Sequence, residues 1–406
     1  MKEGRAIGGV LLVAGTTIGA SMLALPVTTG VAGFVPALLL FGIVFVFMTY
    51  TALLFVEIND AIGGSANLIT MVRRTLGPIG EWVAWFCYLL LLYSLTAAYI
   101  SGSGALLIEV LEARFGIEVA SFWGPLPFVI IFGMIVYLGT RPVDYLNRVL
   151  MAGLILCYVL LVAFVVPYVD AEMLARSQLS ELPASLSIVI TAFGFHIIVP
   201  TLSVYLNHDI KRMRLCVIVG GLIALLVYIL WEGLILGVVP LEGEEGLIAM
   251  LGSGQPPASL THSLKALTGR ALLAPLAALF SFFAMVTSFL GVSLSLRDFL
   301  IDGLKIAPSI HGRIAATMLT FVPPLTFAWA YPGGFIAALS YAGFFVAILL
   351  GLLPVAMTYR LRYVLKMKER YRVVGGRVAL GATFIFFLLV IALFMAEKSV
   401  FDWLLR

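Results

Sequence analysis

Eleven long apolar segments follow one another through almost the whole 406-residue sequence. About 20 apolar residues cross a bilayer as a helix, and in hydrocarbon only helices or closed barrels satisfy their own backbone groups. Charged residues make up 11% of the chain, whereas soluble domains carry about 25%. The sequence therefore predicts an all-α polytopic membrane protein, a single integral membrane domain over residues 1–406.

The predicted spans are residues 6–32, 35–58, 80–108, 122–139, 149–168, 183–205, 215–239, 271–296, 313–330, 333–358 and 377–396. No small-residue cleavage site follows the first span, so we expect it to stay as an anchor rather than be removed as a signal peptide. With the N-terminus inside and the C-terminus outside, 19 of the 25 lysines and arginines lie on the inner side, as the positive-inside rule requires. The net charge of +4 then reflects membrane topology, and nucleic-acid binding has no support.

The first span is interrupted in its middle by Gly15-Thr16-Thr17-Ile18-Gly19-Ala20-Ser21, and Pro26 follows. Glycine and proline both weaken a helix. In hydrocarbon a loosened backbone is tolerated only where protein or a water-filled cavity satisfies its polar groups. Two interpretations stay open at this point: a packing notch formed by Gly15 and Gly19, whose spacing is typical of close helix contacts, or the floor of a binding site.

The sixth span carries a second interruption, Phe193-Gly194-Phe195-His196-Ile197-Ile198-Val199-Pro200. A pair of interrupted spans at corresponding positions of two halves indicates a transporter built from inverted repeats. Five spans per half is an odd number, so the halves must be inverted relative to each other. The predicted fold is a 5+5 inverted repeat, with repeats at about 6–168 and 183–358 and an extra C-terminal helix at 377–396.

Two runs carry a resemblance to a known family. The run G-T-T-I-G-A-S-M-L-A-L-P at 15–26 and the run F-G-F-H-I-I-V-P-T-L at 193–202 resemble the signature of the hydroxy/aromatic amino acid permease family. The resemblance covers essentially the whole chain and is greatest to the tyrosine and tryptophan permeases. Many members have glycine in place of Ser21, and small residues in place of Ile197 and Ile198, differences that bear on the choice of substrate.

The resemblance implies a leucine-transporter-type fold, a location in the plasma membrane (the inner membrane of a bacterium) and ion-coupled import of tyrosine, tryptophan or both. The implied partners are the amino acid and the lipid bilayer, with no cofactor and no obligate protein partner. An exchanger or exporter on the same fold is the alternative. An enzyme is disfavoured because the sequence has no H-E-x-x-H, G-x-S-x-G or phosphate-loop motif, and an asymmetric single chain does not offer the residue rings of a channel.

A zwitterionic substrate needs partners for a carboxylate and an ammonium group, and broken helices supply both through half-helix dipoles and freed backbone groups. Two hydroxyls beside the first break add further donors. The predicted substrate-binding residues at the two breaks are Thr16, Thr17, Ile18, Gly19, Ala20, Ser21, Phe193, Gly194, Phe195 and His196.

The third span adds candidates because Tyr88, Leu92, Thr96, Tyr99 and Ser103 share one helical face. Tyrosines can stack on an aromatic substrate, so Tyr93, Thr96 and Tyr99 are predicted to line the site. The alternative interpretation of such a stripe is ordinary helix packing.

Four residues are candidates for ion coupling. His196 and Glu232 are ionisable groups well inside predicted spans, where such groups indicate function; for His196 the alternative is a structural brace. Thr287 and Ser288 form an adjacent hydroxyl pair in the eighth span that resembles a sodium site of leucine-transporter-type proteins. The resemblance favours H+ as the coupling ion, with Na+ as the alternative.

Overall fold

The computed structural model describes residues 2–63, 66–270, 272–367 and 370–396, and within those ranges its regular structure is helical, without strands. The helices before the second break are α1 (Lys2–Thr17), α2 (Ser21–Thr29), α3 (Phe34–Ile62), α4 (Leu68–Phe115), α5 (Pro125–Leu138), α6 (Thr140–Val165), α7 (Ala171–Leu174) and α8 (Leu182–Ala192). Those after it are α9 (Val199–Tyr205), α10 (Ile210–Leu236), α11 (Leu247–Ser253), α12 (Pro256–Thr268), α13 (Leu273–Gly303), α14 (Ile310–Ala330), α15 (Phe335–Val346), α16 (Leu353–Tyr359) and α17 (Gly376–Ala396).

In the described part of the chain, eight helical segments are long and apolar enough to cross a membrane, and the bent pair α1–α2 makes a ninth. Two further predicted spans do not reach that standard: α5 has 14 residues, and α14, with 21, is not among the eight. The prediction of a polytopic all-helical membrane protein is confirmed, while eleven as the number of spans stays a prediction.

Both predicted helix interruptions are present. The first lies between Thr17 and Ser21, where α1 and α2 meet at 57°. It is narrower than the glycine-rich run suggested, because Gly15 is still inside α1 and Pro26 inside α2. The second break is Phe193–Gly194, followed by the 3₁₀ turn Phe195–Ile198 before α9 begins.

The helix of the third predicted span is longer than expected, with 48 residues. Its first part is set at an angle because Gly77 has φ 79° and ψ −167°, a non-helical conformation, and Pro78 follows. A left-handed φ is accessible to glycine without the steric cost that other residues carry. The segment that crosses the core therefore starts after Pro78, close to the predicted start at residue 80.

The two broken helices lie at the centre of the bundle. Helix α2 packs on α8, α1 packs on α10, and α8 packs on α3. Around this core, α4 packs on α15 and α13 packs on α6, while α4 and α13 also pack on each other. Each broken helix is therefore enclosed by long unbroken helices, which supply its remaining polar partners.

The long connection at 240–270 forms the two short helices α11 and α12. Helix α11 packs on α2, and α12 packs on α2, α4 and α13. Glu245 fixes the connection by accepting hydrogen bonds from Ser263 Oγ at 2.7 Å and from His262 Nδ1. Partial burial acts to raise the pKa of Glu245, but these hydrogen bonds outweigh it and leave the pKa below its usual range. The two helices thus form a fixed cover over that end of α2.

A buried ion pair closes the opposite end of the bundle. Arg362 Nε donates to Glu57 Oε1 at 2.6 Å, and both side chains are fully buried. Arg362 Nη2 also donates to the Val373 carbonyl at 2.9 Å, and the Val373 N–H donates to Glu57 Oε2 at 2.7 Å. These bonds tie the segment before α17 to α3.

Candidate functional site

One phenol joins the two helix breaks. The hydroxyl of Tyr228, on α10, lies 2.7 Å from the Thr17 carbonyl and 2.9 Å from the Ala192 carbonyl. Thr17 and Ala192 are the last residues of α1 and α8, so the hydroxyl contacts equivalent positions of the two broken helices. Because a tyrosine hydroxyl has a single hydrogen, it donates fully to only one of these carbonyls at a time.

A second polar contact fixes the first break from the other side. The Ala20 N–H, inside the break, donates to Ser288 Oγ of α13 at 3.0 Å. The buried phenol of Tyr99 on α4 lies close to the same Ser288. The structure therefore brings the predicted residues Ala20, Tyr99 and Ser288 together.

Other predicted hydroxyls are directed at their own helices. Thr16 and Thr17 donate to the Leu12 and Val13 carbonyls, each at 2.7 Å. Thr96 and Thr287 likewise donate to the carbonyls four residues before them, Leu92 and Phe283, at 2.7 and 2.8 Å. Such bonds are common for threonine in helices. Because the hydrogen of each hydroxyl is used in this way, its oxygen can only accept a further hydrogen bond.

Tyr93 does not join this group. Its hydroxyl donates to the Leu319 carbonyl of α14 at 2.8 Å, so this side chain reaches a peripheral helix. Tyr88 and Leu92, on the same predicted stripe, pack with Leu296 and Leu300 of α13. The stripe on α4 is thus divided between the site, at Tyr99, and ordinary helix packing.

The aromatic residues of the second break are buried against α3 and α10. The ring of Phe193 meets that of Tyr228 edge to face, with 5.3 Å between centroids. Phe195 lies beside His196 at 5.3 Å, and a Cβ atom at Gly194 would lie 3.7 Å from Leu350 and 3.8 Å from Val346, in van der Waals contact. Phe193, Phe195 and Tyr228 are fully buried, so the second break is closed to solvent, whereas Thr16 beside the first break is exposed.

His196 braces the second break against α3. Its Nε2 lies 2.8 Å from Thr51 Oγ1. The Thr51 hydroxyl is itself directed at the Phe47 and Met48 carbonyls, both at 3.1 Å. Since its single hydrogen is directed at α3, the imidazole Nε2 is the donor in this contact.

Glu232 lies one helical turn after Tyr228 and is fully buried. Its Oε1 forms a hydrogen bond with Thr29 Oγ1 of α2, whereas its Oε2 has no hydrogen-bond partner in the described part of the protein. Thr29 Oγ1 also lies 2.7 Å from the Leu25 carbonyl. The carboxyl group therefore faces the second half of the first broken helix.

Sequence reasoning identified Glu232 and missed Tyr228. A signal was present, since residues four apart lie on one helical face and both project from α10 towards the breaks. Thr29 and Thr51 were missed because a threonine in an apolar helix carries no pattern of its own. Within the described residues, no group of three His, Cys, Asp or Glu side chains is placed to hold a metal ion.

The fold and the site define a multi-pass membrane protein in which two interrupted helices meet around buried polar groups. The chain belongs to the tryptophan/tyrosine permease family, whose model matches residues 2–395. This result confirms the resemblance of the two interrupted segments, and with the helical bundle it establishes a multi-pass protein of the plasma membrane.

Three curated relatives illustrate the range of the similarity. The tyrosine-specific transport system 1 of Haemophilus influenzae is 36% identical, covering 93% of each chain. The tryptophan-specific transport protein of the same organism is 29% identical over 95% of this chain and 94% of its own. The low affinity tryptophan permease of Escherichia coli K12 is 27% identical over 96% of this chain and 95% of its own. All three are named as transporters or permeases rather than as enzymes.

Proposed function

We propose that this protein imports aromatic amino acids by proton-coupled symport with alternating access. The proposed substrates are tyrosine, tryptophan or both, with phenylalanine as a further substrate. The observation that carries the proposal is the pair of helix breaks joined by the Tyr228 hydroxyl. Family membership and the transport functions for which the relatives are named support the class of substrate.

The breaks offer complementary ends to a zwitterion. The carbonyls of Thr17 and Ala192 end α1 and α8, where the helix dipoles are negative, so they suit the ammonium group. The nine-residue α2 begins at Ser21, where the dipole is positive, so its start suits the carboxylate. The rings of Phe193, Phe195 and Tyr99 supply apolar surface for an aromatic side chain.

The packing of the helices supports an inverted repeat. A rotation that exchanges the halves would carry α1 onto α8, α3 onto α10, α4 onto α13, α5 onto α14 and α6 onto α15. Under this exchange the pair α1–α10 becomes α8–α3, α4–α15 becomes α13–α6, and α4–α5 becomes α13–α14; all six pairs are in contact. Together with the basic residues of the predicted inner loops, this pattern underlies our proposal of a 5+5 repeat with the N-terminus inside.

Glu232 is the proton carrier that we propose. A carboxylate buried without a cation costs several kcal/mol, so such a group is held neutral. Thr29 has one hydroxyl hydrogen, and both the Leu25 carbonyl and Glu232 Oε1 lie within bonding distance of its oxygen. Both contacts are satisfied when Thr29 donates to Leu25 and a protonated Glu232 donates to Thr29. His196 then serves as the brace between the second break and Thr51.

Sodium coupling through Thr287 and Ser288 is the alternative. Ser288 Oγ reaches the first break, as a sodium ligand would, but it accepts the Ala20 N–H there. Thr287 Oγ1 is directed at its own helix. The hydroxyl pair therefore acts better as a clasp on the break than as a cation site, which favours protons. Exchange or export on the same fold differs only in the direction of net flux.

The proposal is tested by uptake of labelled tyrosine and tryptophan into proteoliposomes that contain the purified protein. We expect saturable uptake driven by an inward proton gradient and unaffected by replacing sodium with potassium. Uptake that follows the sodium gradient alone would establish the alternative ion, and the absence of saturable uptake under either gradient would refute the transport proposal.

A further inference from the structure

A cavity of about 320 Å³ lies at the end of the bundle that holds the N-terminus of α1, away from the helix breaks. Its walls come from the end of α3, from α9 and the turn that leads to α10, and from Arg370. The volume is within the range of about 300–1,000 Å³ that is typical of sites for small molecules. None of the residues at the two helix breaks lines this cavity.

The chemistry of the cavity walls suits a zwitterion. Asp60 and Arg370 place opposite charges on its surface. The Arg370 N–H donates to Asp60 Oδ2 at 3.0 Å, but the guanidinium Nε lies 3.9 Å from Asp60 Oδ1. That separation is at the limit of an ion pair, and the Arg370 side chain is 80% exposed. A guanidinium carries five N–H donors, so this group can bind a carboxylate while its backbone still holds Asp60.

An unsatisfied buried acceptor lies beside Asp60. Asn59 also lines the cavity and is fully buried, and its Oδ1 has no hydrogen-bond partner in the described part of the protein. Leaving a buried acceptor unpaired costs about 1–3 kcal/mol. An ammonium group bound at Asp60 would be neutralised by the carboxylate, and a turn of the Asn59 side chain towards the cavity would pair this oxygen with it.

Three of the residues that line the cavity are apolar, Val56, Ile210 and Met213. Methionine sulfur makes favourable contacts with aromatic rings. A ligand with both charges at one end and an aromatic group at the other would match both the charged and the apolar residues of this lining.

Helix α9 runs from the second break to the cavity. This helix has seven residues and spans about 10 Å, from the turn that contains His196 to Ser203 and Tyr205 near the cavity. Between the second break and the cavity, the His196–Thr51 contact joins the turn to α3. An amino acid released from the breaks towards this end would pass that contact first and the cavity next.

We propose that this cavity is a second binding site for the aromatic amino acid, occupied on the inner side of the His196–Thr51 contact. Asp60 and Asn59 receive the ammonium group, Arg370 receives the carboxylate, and Met213 contacts the ring. The proposal rests on the function proposed above, because its ligand is the transported amino acid itself.

Transport kinetics measured separately at the two faces test this site. In oriented membrane vesicles, Arg370→Gln should raise the half-saturating tyrosine concentration at the inner face about tenfold, equivalent to about 1.4 kcal/mol. The value at the outer face should not change. The exposed guanidinium is not needed for folding, which makes this variant more informative than a change at the buried Asn59. Equal changes at both faces, or no change at either, would overturn the proposal.

Glu81→Gln is the matched control because it removes one charge from an exposed ion pair near the start of α4. Arg73 Nε and Glu81 Oε2 lie 3.5 Å apart, and neither residue lines the cavity. This variant should leave the half-saturating concentrations at both faces unchanged.

Photolabelling of the detergent-solubilised protein tests occupancy without transport. Free p-benzoylphenylalanine should label the peptide that contains Met213, excess tyrosine should prevent the labelling, and Arg370→Gln should weaken it. Labelling confined to residues 15–21 and 191–198 would remove the second site and keep the first. This experiment decides the cavity even if vesicles show no saturable uptake, the result that refutes the transport proposal.

Discussion

Tyr228 is the residue through which the two broken helices share one hydrogen-bond donor. Its hydroxyl replaces the partners that the Thr17 and Ala192 carbonyls lose where α1 and α8 end. An ammonium group has three donors, so a bound substrate can satisfy both carbonyls at once, whereas the phenol satisfies one fully. The two carbonyls are therefore better satisfied by the ammonium group of the proposed ligand than by the phenol.

Tyr228→Phe should lower stability in the absence of tyrosine, because a buried carbonyl without a donor costs about 1–3 kcal/mol, and it should strengthen tyrosine binding about tenfold, because the ammonium group then supplies the missing donor. Binding measured by calorimetry and thermal unfolding with and without tyrosine check the two effects. The control is Tyr158→Phe, since the Tyr158 hydroxyl also donates to a backbone carbonyl of α10, Val227, at 3.1 Å. The control should lose stability and keep affinity; an equal change of affinity in both variants, or none in either, would make Tyr228 a structural residue only.

Glu232→Gln should abolish proton-driven accumulation and leave tyrosine exchange across the membrane in place. An amide preserves the shape of the protonated carboxyl but cannot release a proton. The measurement is uptake against a concentration gradient, together with counterflow, between pH 5.5 and 8. Accumulation that persists in this variant would exclude Glu232 as the carrier, and Glu232→Asp, which retains an ionisable group, should recover part of the pH dependence.

At the residue scale the sequence predicted the types of group in the site better than their directions. Ala20, Tyr99 and Ser288 lie close together, and their roles in binding stay predictions. Tyr93 is directed away from the site because consecutive residues of α4 project about 100° apart, as a helix with 3.6 residues per turn requires. Which neighbour such a side chain then meets depends on helix packing, and α14 is more than 200 positions further along the chain.

At the scale of elements, the clasp between α13 and the first break depends on a glycine. A Cβ atom at Gly19 would lie 2.7 Å from Ser288 Oγ, which is too close. Gly15 lies four residues earlier, inside α1. A Cβ atom at Gly15 would have no neighbouring atom within 4 Å. The two glycines of the predicted packing notch thus have different surroundings.

Gly19→Ala should reduce transport at least tenfold, because the methyl group displaces the hydroxyl that holds the Ala20 N–H. Gly15→Ala should keep transport near the wild-type level and increase thermal stability, since alanine favours a helix by about 1 kcal/mol over glycine. Initial rates of tyrosine uptake, normalised to protein in the membrane, distinguish the two variants. Similar losses in both would favour the packing interpretation of this segment.

Glycine and proline located the two breaks in sequence but not their detailed shape. Pro200 lies at the start of α9, where a missing N–H costs little. Pro26 lies instead within α2, so the bend before it comes from residues 18–20 and not from the proline. The sequence pattern was symmetric, whereas the neighbours of each break decided where its backbone left the helix.

At the scale of the whole molecule, orientation is the prediction with the most direct test. In a background without Cys87, Cys157 and Cys216, which are buried, we expect Glu244→Cys to react with an impermeant maleimide in intact cells. His311→Cys, in the first turn of α14, should react only after the membrane is permeabilised. The reverse pattern would invert the topology and place the cavity at Asp60 on the outside.

The number and order of apolar segments could be read from the sequence because hydropathy is local. The contacts between halves could not, since they join residues far apart in the chain. The exchange of packing partners between α1–α10 and α8–α3 has no counterpart in sequence identity between the halves. The Glu57–Arg362 ion pair is of the same kind, because each residue alone is a charge near the end of an apolar helix.

That ion pair has a consequence for how the protein is made. Its two members are 305 positions apart, and ribosomes add about 5–20 residues per second. Glu57 thus enters the membrane roughly 15–60 s before Arg362 has been synthesised. During this interval α3 carries an uncompensated acid towards lipid, so a nascent chain stalled before residue 362 should remain associated with the insertion machinery and be degraded if released.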